Sequence, residues 1–361
     1  MNNPSRNNYK VKSNRIAILD GFRTLAILSV LLYHFFYRWN DTTYPYLGGD
    51  YFHKGFNGVS FFFIISGFVI CYSLENTSNF ILFWKKRMIR LFPSMLIASI
   101  ITFTFLIAFD LENIFPKSHN FRNFLISITF LPPNLFNWFS KIPNHFSYLN
   151  YSYWSLWPEI QFYFLVSIVY FFSKVNFIRN FLILSILLIV CYQLILFLNF
   201  EEIKYLQKSI NLFNIVKYLP FFLSGVLFYA IYKKETPSYL YFILLLFSFL
   251  ILNINFTKSN LIIYSSMFLL FLWFIYYPKI LRILENKIIT KIGVSSYFLY
   301  LIHEYIGIVI IKKFVNLFYP YSFIAPLLVI ILMIVFSMYY TNNIESKISK
   351  YLKRIVFKQE K

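Results

Sequence analysis

Cysteine is almost missing from this chain: 2 occur in 361 residues, and both Cys71 and Cys191 fall inside apolar runs. That excludes a disulfide framework and a thiolate zinc site, and no metal is expected. Charge is scarce too, at 13% of residues, and acids are the scarcer sign, 14 Asp and Glu against 34 Lys and Arg. With 59% hydrophobic residues, this composition rules out a soluble domain of such length and indicates an all-α polytopic membrane protein. No soluble stretch is long enough to hold a core of its own. The formal charge of +20 does not indicate nucleic acid, because the cations lie in short clusters between apolar runs, as topology signals do. No internal repeat is present, so the inverted-repeat plan of many transporters has no support. The first apolar run lacks a small-residue cleavage pattern after it and reads as a retained span, not a signal peptide.

What is present is a series of apolar runs of spanning length. They fall at about 19–37, 56–74, 88–109, 152–172, 177–199, 210–232, 238–255, 259–277, 291–311 and 321–341. That makes about ten transmembrane helices, with eleven as the alternative count. A shorter piece at 121–131, closed by Pro132-Pro133, belongs at the interface or in a re-entrant segment. Residues 1–15 form a polar tail, 16–341 the membrane domain and 342–361 a basic tail with Lys347, Lys350, Lys353, Arg354 and Lys358. Placing both termini in the cytoplasm puts roughly two-thirds of the Lys and Arg on that side.

Two polar groups interrupt the first run, Arg23 and His34. Charged and titratable groups at membrane depth are expensive and read as functional. Eleven residues at about 100° each bring them onto one helix face, about 16 Å apart along the axis. Such a stripe turns toward a protein-lined or wet cavity. His34 can serve as general base, or it simply bonds a neighbouring carbonyl. Arg23 can hold a phosphate in its planar fork or pair with Asp20, three residues back.

A second cluster, Trp84-Lys85-Lys86-Arg87-Met88-Ile89-Arg90, precedes the third span on a cytoplasmic loop. It is either a positive-inside anchor or a site where an anionic cosubstrate arrives, on the side of Arg23. The third is Tyr153-Trp154-Ser155-Leu156-Trp157-Pro158-Glu159, at the outer start of a span. Glu159 can cap that terminus or act in an aromatic-walled, sugar-sized site at a depth near that of His34. Gly55 to Phe68 supplies small residues for close helix packing. His303, in Ser296-Tyr297-Phe298-Leu299-Tyr300-Leu301-Ile302-His303, either makes a structural hydrogen bond or lines the cavity.

Together these stretches resemble the motifs of the membrane-bound acyltransferase 3 family, in the family's order. Leu19-Asp20-Gly21-Phe22-Arg23 through Tyr33-His34 is similar to its opening motif. The segments starting at Gly58, Lys86, Trp154 and Ser296 are similar to the later ones. Ser60 departs from the usual Asp of that family, and Trp157-Pro158 replaces a smaller pair before the Glu. The soluble esterase-like domain of some members is not expected here.

The resemblance implies an O-acyltransferase of a bacterial inner membrane that moves acetyl from acetyl-coenzyme A to a hydroxyl of a cell-surface carbohydrate. Its acceptor would be a surface polysaccharide (O-antigen, capsule, exopolysaccharide or peptidoglycan) or a lipid-linked precursor. On that reading His34 and Glu159 are catalytic, His34 either taking the hydroxyl proton or carrying the acyl group itself, and Arg23, Lys86, Arg87 and Arg90 bind the coenzyme. Tyr153, Trp154, Ser155 and His303 contact the acceptor. The lipid bilayer is the other partner, and nucleic acid is not one. The rival reading is a flippase or exporter for a lipid-linked sugar.

Overall fold

In a computed structural model, residues 16–39, 49–140, 145–198, 204–233, 245, 248–249 and 258–358 are described. The N-terminal tail and nearly all of the apolar run at 238–255 lie outside them. The helices are α1 Ala17–Tyr33, α2 Gly58–Glu75, α3 Phe80–Phe109, α4 Phe121–Ser127, α5 Pro133–Ser140 and α6 Leu156–Phe172. They continue with α7 Phe177–Phe197, α8 Lys204–Leu212, α9 Ile215–Lys233, α10 Lys258–Tyr276, α11 Lys287–Phe314, α12 Ile324–Tyr340 and α13 Ser346–Lys358.

Among the described residues, eight helices are long and apolar enough to cross a membrane. A ninth candidate is the pair Asn260–Tyr276 and Pro278–Glu285, which bends by 103°. The chain is thus an all-α polytopic membrane protein. Side chains without charge cover most of its outer surface, and Phe172, Phe197 and Ile262 are among the large exposed apolar residues. In a bilayer such residues meet lipid, where exposure of apolar surface costs nothing.

Helix α1 is the axis of the bundle, packed by α2, α11 and the 3-10 turn Gly49–Asn57. Its contact with α11 is close because Gly293 has no Cβ: one built there would lie 1.8 Å from the Asp20 carbonyl oxygen. Thr24 Oγ1 donates to the Ile289 carbonyl at 2.6 Å across the same contact. The α2–α9 crossing rests on a second glycine pair. A Cβ on Gly67 would lie 2.2 Å from the Phe222 carbonyl oxygen, and one on Gly225 2.1 Å from that of Ile64. Small residues that let two backbones touch are a main source of helix association in lipid.

Three boundaries differ from those expected. The basic cluster at 84–90 lies within α3, whose first turn is capped by Asn79 accepting from Leu82 N at 2.8 Å. The apolar run at 210–232 is broken at residues 213–214, between α8 and α9. The basic C-terminal segment is helical through Lys358 and packs against α3.

Candidate active site

Three cavities follow one another through the bundle. The first, about 1080 Å³, is lined by Asp20, Arg23, Ser73, Lys86, Arg87 and Arg90 among others. Arg23, Arg87 and Arg90 also line the second, about 760 Å³, together with Ser66, Glu159 and Tyr163. Val59, Phe63 and Tyr300 separate the second from the third, about 1870 Å³, on which His34, Arg38, Ser60 and Trp154 lie. The polar stripe of α1 therefore faces inward, with Arg23 at one end of the series and His34 at the other. Leu25, on another side of the same helix, is 37% exposed, whereas His34 is 9% exposed.

His34 begins a π-helical turn, His34–Arg38, at the end of α1. Such local widening of a helix occurs often at functional sites, where it re-aims side chains. The imidazole is held by its hydrogen bonds. His303 Nδ1 lies 2.7 Å from the Tyr300 carbonyl oxygen. A carbonyl only accepts, so in the neutral ring that nitrogen carries the hydrogen and Nε2 is an acceptor. His34 Nδ1 stands 2.9 Å from the Val30 carbonyl oxygen and 3.2 Å from His303 Nε2, and its hydrogen serves both. This leaves His34 Nε2 for exchange with a bound group. It lies 3.4 Å from Glu304 Oε1. Glu304 is fully buried, with the Ser152 backbone and the Arg38 charge as its other polar neighbours.

The opposite end is cationic. Arg87 is buried, donates to Ser73 Oγ, and lies over the rings of Phe83 and Tyr163 at 5.4 and 5.9 Å. Its Nε has no hydrogen-bond partner among the described residues. Arg90 is exposed to the first two cavities. Lys86 donates to the Asn76 carbonyl and to Thr77 Oγ1, both at 3.2 Å. Arg23 is paired with Asp20 at 2.7 Å while still lining both cavities.

The expected site residues divide accordingly. Arg23, Lys86, Arg87 and Arg90 converge on the first cavity, as one cluster. Trp154 lies on the third cavity with its ring 5.4 Å from that of Tyr218. Ser155 donates to the Tyr300 hydroxyl at 2.9 Å, beside the partition between the second and third cavities. Three expectations need correction. Glu159 is not beside His34: it lines the middle cavity, accepts from Ser66 Oγ at 3.2 Å and from the Tyr163 hydroxyl, and faces Arg87. Its helix, Leu156–Phe172, begins after the 3-10 turn Tyr151–Ser155, which leaves Glu159 on the first helical turn and on the wall of the middle cavity. Tyr153 is 2% exposed and lines none of these three cavities, because its side of the 3-10 turn packs into the core. His303 is wholly buried behind His34 and positions that ring without lining the cavity.

Glu304, Arg38 and Tyr300 were not expected in the site. Glu304 had a signal, a carboxylate next to a histidine in an apolar run, but which histidine it meets depends on α1 touching α11.

The model of the acyltransferase 3 family, described as an acyltransferase domain, matches residues 16–341. Among characterised sequences, the candidate peptidoglycan O-acetyltransferase YrhL of Bacillus subtilis is 32% identical over 155 residues, 40% of this chain and 22% of that protein. The O-acetyltransferase OatA of Staphylococcus aureus is 30% identical over 164 residues, 42% of this chain and 24% of that one. The aligned stretch thus takes in less than a quarter of either relative. No solved structure matches the chain. Since the family model covers nearly all of it, the chain belongs to the acyltransferase 3 family.

Proposed function

We propose that this protein is an O-acetyltransferase of a bacterial inner membrane, acting on a hydroxyl of a cell-surface carbohydrate with acetyl-coenzyme A as donor. The observation that carries the reading is a ring nitrogen without other duty, His34 Nε2, beside a buried carboxyl and at the inner end of a large cavity. The names of the two relatives, an O-acetyltransferase and a candidate one, support the reaction class, and the second name makes peptidoglycan the first acceptor to test.

The donor end fits the phosphates of a coenzyme. Arg87, Arg90, Lys86 and Arg23 supply the charge, and the unpartnered Arg87 Nε is a buried donor that an anion would satisfy. Acetyl-coenzyme A supplies the activated acyl thioester. The acceptor hydroxyl enters through the third cavity, past Trp154. His34 Nε2 takes its proton and holds it for the leaving thiol, as an imidazolium facing Glu304. His303 and the Val30 carbonyl keep the other nitrogen protonated and the ring in place. Tyr300, Val59 and Phe63 stand where the two substrates would meet.

A flippase for a lipid-linked sugar is the second reading, favoured by the same end-to-end series of cavities. It leaves the His34–Glu304–His303 arrangement unused. The test is radiolabelled acetyl-coenzyme A supplied to membranes of cells with and without the gene. Label in the surface glycan only where the gene is present supports the enzyme. Glycan that crosses the membrane unlabelled supports the flippase.

A further inference from the structure

The third cavity has a charge pattern that neither acetyl transfer nor the bilayer requires. Two cations line it, Arg38 and Lys217, and both are exposed to it. No Asp or Glu is among its described lining residues. Neither cation makes an ion pair with a carboxylate among the described residues, although the Arg38 charge is felt by the buried Glu304 behind His34. Arg38 lies four residues beyond His34, at the end of the π-helical turn that also aims His34, with its guanidinium 5.7 Å from the ring centre of Trp39.

Lys217 is held to the same wall by the break between α8 and α9. Trp157 Nε1 and Gln161 Nε2 both donate to the Leu212 carbonyl, at 2.6 and 2.7 Å. Gln161 Oε1 accepts from Ile215 N at 2.9 Å. That clamp sets Asn214 and Lys217 against the cavity, and Asn214 Oδ1 is buried there with no hydrogen-bond partner among the described residues. A buried acceptor without a donor usually marks a place for a ligand or a bound water.

We infer that the acceptor is an acidic saccharide: a glycan with a carboxylate or phosphate within one or two sugar units of the hydroxyl, read by Arg38 and Lys217, with Asn214 accepting from a hydroxyl or amide N–H. This rests on the acetyltransferase reading and narrows its substrate class. An ionised partner roughly doubles the strength of a hydrogen bond, and exposed cations act over about 10 Å at moderate salt, so the preference falls as salt rises.

The test uses the full chain in uncharged lipid nanodiscs. Binding is measured for the disaccharide of N-acetylglucosamine and N-acetylmuramic acid, for its uncharged amide, and for N-acetylglucosamine 1-phosphate. The acid is expected to bind about tenfold or more tightly than the amide at low salt. Arg38→Gln and Lys217→Gln should each remove most of that preference, and Arg38→Lys should restore part of it, with unfolding temperatures unchanged. A phosphate preferred over the carboxylate assigns the charge to a lipid-carrier linkage; the reverse assigns it to the sugar. Equal binding of acid and amide, or a preference that survives both Gln variants, overturns the inference. Acid-selective binding with no acetyl transfer in the same nanodiscs upholds this inference and overturns the acetyltransferase reading alone.

Discussion

Two carboxylates near Tyr300, the half-buried Glu159 and the fully buried Glu304, have different surroundings. Glu159 in the middle cavity receives hydrogen bonds from Ser66 and Tyr163 and faces Arg87. Its negative charge is already satisfied, as suits a group that orders a cationic pocket. Glu304, beyond the partition, has His34 Nε2 at 3.4 Å as its titratable neighbour. A carboxyl so placed has its largest effect when that ring gains a proton. The difference teaches that depth in the membrane does not assign a role; the donors around each carboxylate do.

The largest expected effect is at His34. His34→Ala should lower acetyl transfer by at least about 10²-fold while the protein still inserts, since positioned acid-base catalysis is worth 10²–10⁴-fold. Quantifying acetyl ester on surface glycan against immunoblotted membrane protein checks this. Glu304→Gln should lower kcat by about tenfold to a hundredfold with the donor KM unchanged, the scale of one lost hydrogen bond to a charged group. Steady-state kinetics of that variant beside Glu159→Gln sharpens the contrast. If Glu159→Gln lowers kcat as much and leaves the donor KM alone, the two carboxylates do not differ as argued.

If the proposed contact of Arg87 with the coenzyme's phosphates holds, Arg87→Ala should raise the donor KM by about tenfold and spare acceptor binding. Equal loss of affinity for donor and acceptor would break the division between the two ends. The smallest effect lies outside both regions. Gly67→Val should destabilise the α2–α9 crossing by about 1–3 kcal/mol, the usual result of overpacking, and lower the unfolding temperature in detergent.

Much of this arrangement is legible in the sequence. Arg23 and His34 stand out because they interrupt an apolar run, and an eleven-residue separation puts them on one face under helical geometry alone. The span starts and the small-residue stretch at Gly58 and Gly67 follow from hydropathy and packing in lipid. What the sequence hides depends on tertiary contact. Glu304 adjoins His303, but His34 is brought to both only where Gly293 lets α1 and α11 touch. Arg38 is singled out by nothing in the sequence pattern; the π-helical turn is what directs it to the third cavity. The break at residues 213–214 falls among Asn211, Asn214 and Lys217, but the clamp by Trp157 and Gln161 that fixes it is a tertiary contact the hydropathy pattern does not hold. For Glu159 the sequence offers only a depth counted from the span's end, and depth does not say which cavity a side chain enters.

The most direct test of the series of cavities is vectorial transfer in proteoliposomes of fixed orientation. Labelled acetyl-coenzyme A is supplied only on the Arg87 side and acceptor glycan only on the His34 side. The account predicts labelled glycan with the wild-type protein and none above background with His34→Ala. Equal labelling by the two proteins, or labelling only when donor and acceptor share one side, would contradict it.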